Sequence, residues 1–202
     1  MSDKASSESS DTMSEFRFES TSIPGLTVIS PFCAEDRRGS FLKSFTKEIF
    51  AGHGIPFVPF EAAYSRSAKG TVRGLHFQRR YCQDKLVLAL GGRVYDVAVD
   101  LRKDSETFGK WEGFTLTAEN RKMLYIPKGF AHGFLALEDN TLLSYLCGDR
   151  CDPETDGGIR WDDPQLSVRW PVDQVETIIL SDKDAALPTL EEFVRTYGSL
   201  PG

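Results

Sequence analysis

Nowhere in the 202 residues is there a run of about 18 apolar side chains, so no segment reads as a membrane-spanning helix. Histidine is scarce, with His53, His76 and His132 making up the whole supply. The four cysteines, Cys33, Cys82, Cys147 and Cys151, lack CxxC spacing. That argues against a zinc or disulfide framework and leaves reduced thiols in a cytoplasm as the expectation. A basic excess is also missing: the net charge of −6 disfavours a general nucleic-acid binder. It leaves room for a small anionic ligand, because a few local Arg and Lys residues decide that. Met1 to Glu15 is rich in Ser, Asp and Glu without an apolar core, so it is expected to be a disordered tail rather than a secretory signal. Residues 16–202 suit a single domain.

Helical periodicity is thin as well, confined to Thr46–Ala51 and Thr189–Tyr197. What is present instead is a succession of short strand-like runs broken by turns. Lys85 to Asp100 shows it best: two β-rich runs meet at Gly91-Gly92, a pair suited to a hairpin turn. In the second run Val94, Asp96, Ala98 and Asp100 alternate with Tyr95, Val97, Val99 and Leu101, the period of a two-faced strand. Similar runs occupy 26–30, 40–45, 65–67, 72–78, 111–116, 122–126, 133–136 and 142–147, and Asp-Pro pairs and Gly157-Gly158 mark loops in the last third. Many short strands with frequent turns predict an all-β sandwich or barrel with a few short helices.

Few residues carry obvious chemistry. His53 sits in the Gly-rich AGHGIP stretch and reads as a loop residue. His76 lies in the RGLHFQ segment, where strict parity puts Arg73 on the opposite face unless Gly74 introduces a bulge. His132 is flanked by small residues that allow close backbone approach. On spacing alone a strand histidine is most often a core or rim residue with satisfied hydrogen bonds, and an acid–base role is the less common alternative. On the residues alone, Tyr145 reads as sandwich packing and Asp184 as a solvated turn. A metal site lacks its usual start, since His76 is followed by Phe77 and Gln78 rather than by a second histidine one residue on.

An ordered series of motifs narrows this further. It runs from Asp36-Arg37-Arg38-Gly39 with Phe41 through 65–78 (SRSAKGTVRGLHFQ), Lys85-Leu86-Val87, 96–102 and 126–134, and ends at 159–164, Trp170-Pro171 and Ser181-Asp182-Lys183-Asp184. With these motifs the chain resembles the dTDP-4-dehydrorhamnose 3,5-epimerases, metal-free cupins that act on sugar nucleotides. The resemblance implies a cupin jelly-roll barrel without a cofactor, acting on a nucleotide-diphospho-sugar. It implies His76 as base, Asp184 as its partner, Tyr145 as acid, and Lys85 as the stabiliser of charge on the C4 oxygen of a 4-keto-6-deoxy sugar. Arg38, Arg73 and Lys183 would hold the diphosphate or nucleotide, with Gln78 and His132 lining the same site. It further implies a homodimer in which Arg38 serves the neighbouring site.

Three positions depart from the family's pattern. Lys43 stands where a carboxylate is usual, and Glu61 opens the stretch that usually reads QxNHS. Both fall where the resemblance places nucleotide contacts, which brings in a CDP-linked sugar beside a dTDP-linked one. Cys151 replaces a second family tyrosine, which leaves open inversion at both C3 and C5 or a reaction restricted to one of them. A keto-isomerase and a non-catalytic sugar-nucleotide-binding cupin are the competing readings.

Overall fold

The computed structural model describes residues 12–202, which form fourteen strands and three α-helices. The strands are β1 (Thr12–Ser14), β2 (Arg17–Ser20), β3 (Thr27–Ser30), β4 (Phe32–Asp36), β5 (Gly39–Lys43), β6 (Glu61–Ser67) and β7 (Val72–Gln78). They continue as β8 (Lys85–Gly91), β9 (Arg93–Asp100), β10 (Trp111–Thr117), β11 (Met123–Ile126), β12 (Phe130–Ala136), β13 (Thr141–Cys147) and β14 (Asp156–Gly158). The helices are α1 (Lys47–Gly52), α2 (Asp182–Ala185) and α3 (Leu190–Tyr197). A six-stranded sheet, β2-β3-β11-β8-β13-β6, and a five-stranded sheet, β10-β9-β12-β7-β14, enclose the interior of a cupin-like jelly roll, and β1-β4-β5 form a separate small sheet.

Strand alternation sorts the apolar residues into three layers. Val87 and Ala89 of β8, Val94 and Ala98 of β9, Phe130 and Phe134 of β12, and Leu143 of β13 meet between the two large sheets. Val97, Val99, Ala131 and Leu135 point the other way and are covered by the C-terminal segment through Leu166, Trp170, Leu190 and Phe193. Leu86 and Leu88 face outward under Phe50 of α1 and Phe57. Covering both outer faces explains why several strands are apolar on both sides rather than cleanly alternating.

Two expectations change. Gly91-Gly92 does not close a hairpin: β8 pairs with β11 and β13, whereas β9 pairs with β10 and β12 in the opposite sheet. The pair is a corner between sheets. Gly92 has φ +70° there, and a Cβ would lie 2.5 Å from Thr141 Oγ1, so the corner demands glycine as a hairpin would. The expected tail at 1–15 falls largely outside the described residues, but its end, Thr12–Ser14, is a strand paired with β4.

Candidate active site

The same alternation that builds the core delivers the polar groups to one interior. On β8, Lys85 shares the inward face with Val87 and Ala89, and on β9 Asp96 lies between inward Val94 and Ala98. On β12, His132 falls between Phe130 and Phe134, and on β13 Tyr145 follows Leu143 by two. Register carries the pattern onto β6, where Glu61, Ala63 and Ser65 oppose Cys147, Tyr145 and Leu143.

β7 needs one irregularity. Three residues lead from Arg73 to His76 while their partners Phe134 and His132 are only two apart, so β7 carries one extra residue. The bulge returns Arg73 to the face of His76 and Gln78, leaving Val72, Leu75 and Phe77 in the outer core. Gly74 makes the bulge possible: its φ is +113°, and a Cβ would sit 2.6 Å from both His132 O and Gly133 Cα.

His76 Nε2 lies 2.6 Å from Asp184 Oδ1. A bridge between Thr71 and Ile179 brings the following chain against β7, and Ser181 caps α2 by accepting the Asp184 N–H at 3.1 Å. Asp184 is therefore buried rather than a solvated turn. Burial by itself would raise its pKa, but the hydrogen bond and charge of His76, with the Gly74 backbone and Ser181, outweigh it and hold the carboxyl below its ordinary value. The imidazole remains 30% exposed while the Asp184 side chain is only 6% exposed, so the ring can meet a ligand with its partner shielded behind it.

Lys85 and Tyr145 project from the facing six-stranded sheet. Burial pulls the Lys85 ammonium below its usual pKa, against the pull of Cys147, Asp156, Asp96 and Cys151. Burial pushes the Tyr145 phenol well up, reinforced by the charge of Asp96, so it is a protonated acid at neutral pH. Its hydroxyl shares a 3.1 Å hydrogen bond with Ser65 Oγ. Next to it lies a second, fully interior pair: His132 Nε2 is 2.9 Å from each oxygen of Asp96, and its ring stands edge-on to Tyr145 at 6.1 Å between centroids. Asp96 and Ser65 received no role from the sequence, although a carboxylate flanked by inward Val94 and Ala98 was a readable signal.

The residues expected to hold the ligand divide. Arg73 reaches Ser67 Oγ at 3.2 Å and stays exposed at the rim. Lys183 is ion-paired with Asp156, and Gln78 Oε1 accepts the Asp152 N–H at 2.9 Å. Glu61 accepts the Cys151 N–H with both carboxylate oxygens, each at 3.1 Å. Arg38 and Lys43 are not brought to the barrel interior. They lie on the small sheet, where Arg38 pairs with Asp36 and Lys43 stands 5.3 Å over the Phe32 ring. His53 stacks on Phe18 at 4.0 Å and donates from Nδ1 to Ile49 O. Among the described residues no three His, Cys, Asp or Glu side chains converge as metal ligands.

Comparison with known proteins places the chain in a family. The family pattern of dTDP-4-dehydrorhamnose 3,5-epimerase matches residues 20–192. The dTDP-4-dehydrorhamnose 3,5-epimerase of Methanothermobacter thermautotrophicus is 46% identical over 180 residues, covering 89% of this chain and 97% of that one. That of Escherichia coli is 45% identical over 179 residues, covering 87% and 95%. The dTDP-6-deoxy-D-glucose-3,5-epimerase of Legionella pneumophila, solved in complex with dTDP-4-keto-L-rhamnose, is similar with a TM-score of 0.87 at 41% identity, covering 93% of this chain and 98% of its own. A polar barrel interior built on this fold, together with identity of this extent, establishes that the chain belongs to the dTDP-4-dehydrorhamnose 3,5-epimerase family.

Proposed function

We propose that this protein epimerises a nucleotide-linked 4-keto-6-deoxyhexose, inverting carbon centres beside the C4 ketone through an enolate. One observation carries the reading. His76 projects from the five-stranded sheet with Asp184 of α2 behind it, and Tyr145 with Lys85 projects from the sheet facing it. Inversion requires a proton to leave one face of the sugar and another to arrive on the opposite face. His76 takes the proton from carbon, and the C–H electron pair moves into the C3–C4 or C4–C5 bond as the carbonyl π pair moves to oxygen. Asp184 orients the ring and stabilises the imidazolium. Lys85 balances the charge on the C4 oxygen, and Tyr145 returns a proton to carbon from the other side. Tyr145 and His76 then exchange protons with water to restore the starting state.

We assign the substrate as dTDP-linked rather than CDP-linked. The relatives reported above are named for dTDP sugars, and Glu61 is engaged by the Cys151 amide rather than presented to a base. The small sheet holds Arg38, whose side chain is 84% exposed, beside Phe41, which is 62% exposed. A homodimer that lays this sheet against a second copy would cover Phe41 and carry Arg38 and Lys43 to the partner's barrel mouth. We place the reaction in the cytoplasm, where sugar nucleotides and reduced thiols coexist.

Incubation in heavy water with dTDP- or CDP-linked 4-keto-6-deoxyglucose, followed by NMR, tests the reading. Deuterium entering both C3 and C5 of the dTDP sugar is the expected result. Uptake at one carbon would make Cys151 the residue to examine, and a preference for the CDP sugar would overturn the nucleotide assignment. Absence of uptake with either substrate would overturn the epimerase reading.

A further inference from the structure

Glu61 begins β6 at the end of the six-stranded sheet where Lys85 begins β8. Glu61 opposes Cys147, and Cys147 opposes Lys85, so the three form one row across neighbouring strands. With strands about 4.8 Å apart, the Glu61 backbone stands roughly 10 Å from that of Lys85. By register Glu61 shares the face of Ala63 and Ser65, and both oxygens of its carboxylate accept the Cys151 N–H. From the facing sheet, buried Gln78 accepts the next N–H, that of Asp152, at 2.9 Å. Two consecutive amides of one loop are therefore held by inward side chains of two different sheets. More ties secure the loop on both flanks: Gln83 donates to Asp149 O, Arg79 N–H to Thr155 O, and Lys183 pairs with Asp156. Cys151 and Asp156 lie near enough to act electrostatically on the Lys85 ammonium.

We infer that Glu61 and Gln78 form a clamp spanning the two sheets, which fixes the 149–156 segment at the mouth of the barrel and so sets the shape of the opening over Lys85. On this account Glu61 is a positioning residue that acts through the Cys151–Asp152 peptide and does not read the nucleobase. An anionic acceptor suits that task, because hydrogen bonds to a charged group are about twice as strong as neutral ones. The consequence concerns specificity: releasing the loop should weaken binding of the sugar nucleotide whatever base it carries. This inference rests on the epimerase reading for its kinetic arm only.

Amide hydrogen exchange on the full chain tests the clamp directly. In Glu61→Ala the Cys151 amide should exchange about 10-fold or more faster, since an amide bonded to a charged acceptor is released. The core amides of β9 and β12 should stay protected. In Glu61→Gln, which keeps a carbonyl acceptor, much of the protection should return; this variant also decides the matter if the alanine protein does not fold. In steady-state assays Glu61→Ala should raise KM for dTDP- and CDP-linked substrates by the same factor, with a smaller change in kcat, and Glu61→Gln should restore most of it. Unchanged exchange at Cys151 would overturn the clamp. A KM that moves for one nucleotide alone would return Glu61 to base recognition. Wild-type protein that exchanges no substrate proton would sink the epimerase reading and leave the exchange result at Cys151 to judge the clamp.

Discussion

Replacing Tyr145 by phenylalanine should divide the reaction in two. The substitution removes one hydroxyl, whose 3.1 Å partner is Ser65 Oγ, and keeps the ring that stands edge-on to His132. The fold should barely respond, because a single hydrogen bond contributes about 1 kcal/mol net and Ser65 is only half-buried. The chemistry should respond strongly. A positioned acid is worth about 10²–10⁴-fold, which is roughly 3–5 kcal/mol on the barrier to reprotonation from that face. His76, on the other sheet, and Asp184 of α2 keep their 2.6 Å bond and can still abstract the proton and return a solvent-derived one. In heavy water the variant should therefore incorporate deuterium at the flanking carbons faster than it inverts them, giving labelled sugar of the starting configuration. NMR of one reaction mixture reads both quantities, exchange from loss of the proton signal and inversion from the epimer ratio. Inversion at the wild-type rate would refute the acid assignment. Loss of exchange in step with inversion would show that Tyr145 is needed already for deprotonation.

Asp184→Asn should lower exchange and inversion together by about 10²–10⁴-fold, measured in the same assay, because the amide cannot stabilise the imidazolium. Acid should destabilise the fold through carboxylates whose pKa is depressed on folding. Asp184 is one; Asp100 is another, where burial is outweighed by Arg102, Thr107 and Ser105. Their contribution is complete above the unfolded value of about 3.9 and is lost as pH falls through the lower folded value, so the urea midpoint should drop below about pH 4. A midpoint that stays flat to about pH 2.5 would contradict this. Asp163→Ala should cost about 2–4 kcal/mol, or roughly 5–15 °C in Tm, because buried Asp163 accepts the N–H groups of Gln165, Leu166 and Leu190 and thereby docks α3. Gly74→Ala should abolish activity and much of the stability, whereas Gly52→Ala, with open space around it, should leave Tm within a few degrees.

What the sequence disclosed was mostly a matter of parity, and what it hid was mostly a matter of register. Alternation along 94–101 correctly separated Val94 and Ala98 from Val97 and Val99, and the two sets line different cores. The same rule places Lys85, Asp96, His132 and Tyr145 on inward faces without any knowledge of which strands are neighbours. Pairing was not legible, because Gly91-Gly92 offers the same positive-φ permission to a hairpin and to a corner between sheets. The choice is made by distant partners, β11 and β13 for one strand and β10 and β12 for the other. Local pattern hid Asp184 for a related reason, although the motif resemblance named it as the partner of His76. Ser181-Asp182-Lys183-Asp184 is polar throughout, and its burial arises only when Ile179 docks on Thr71 beside the bulged β7. Gly74 was the one local residue that announced this irregularity, and its bulge is what returns Arg73 to the side of His76. The proposed mechanism thus draws on inward side chains that local periodicity reveals, and on one dyad that only long-range register can close.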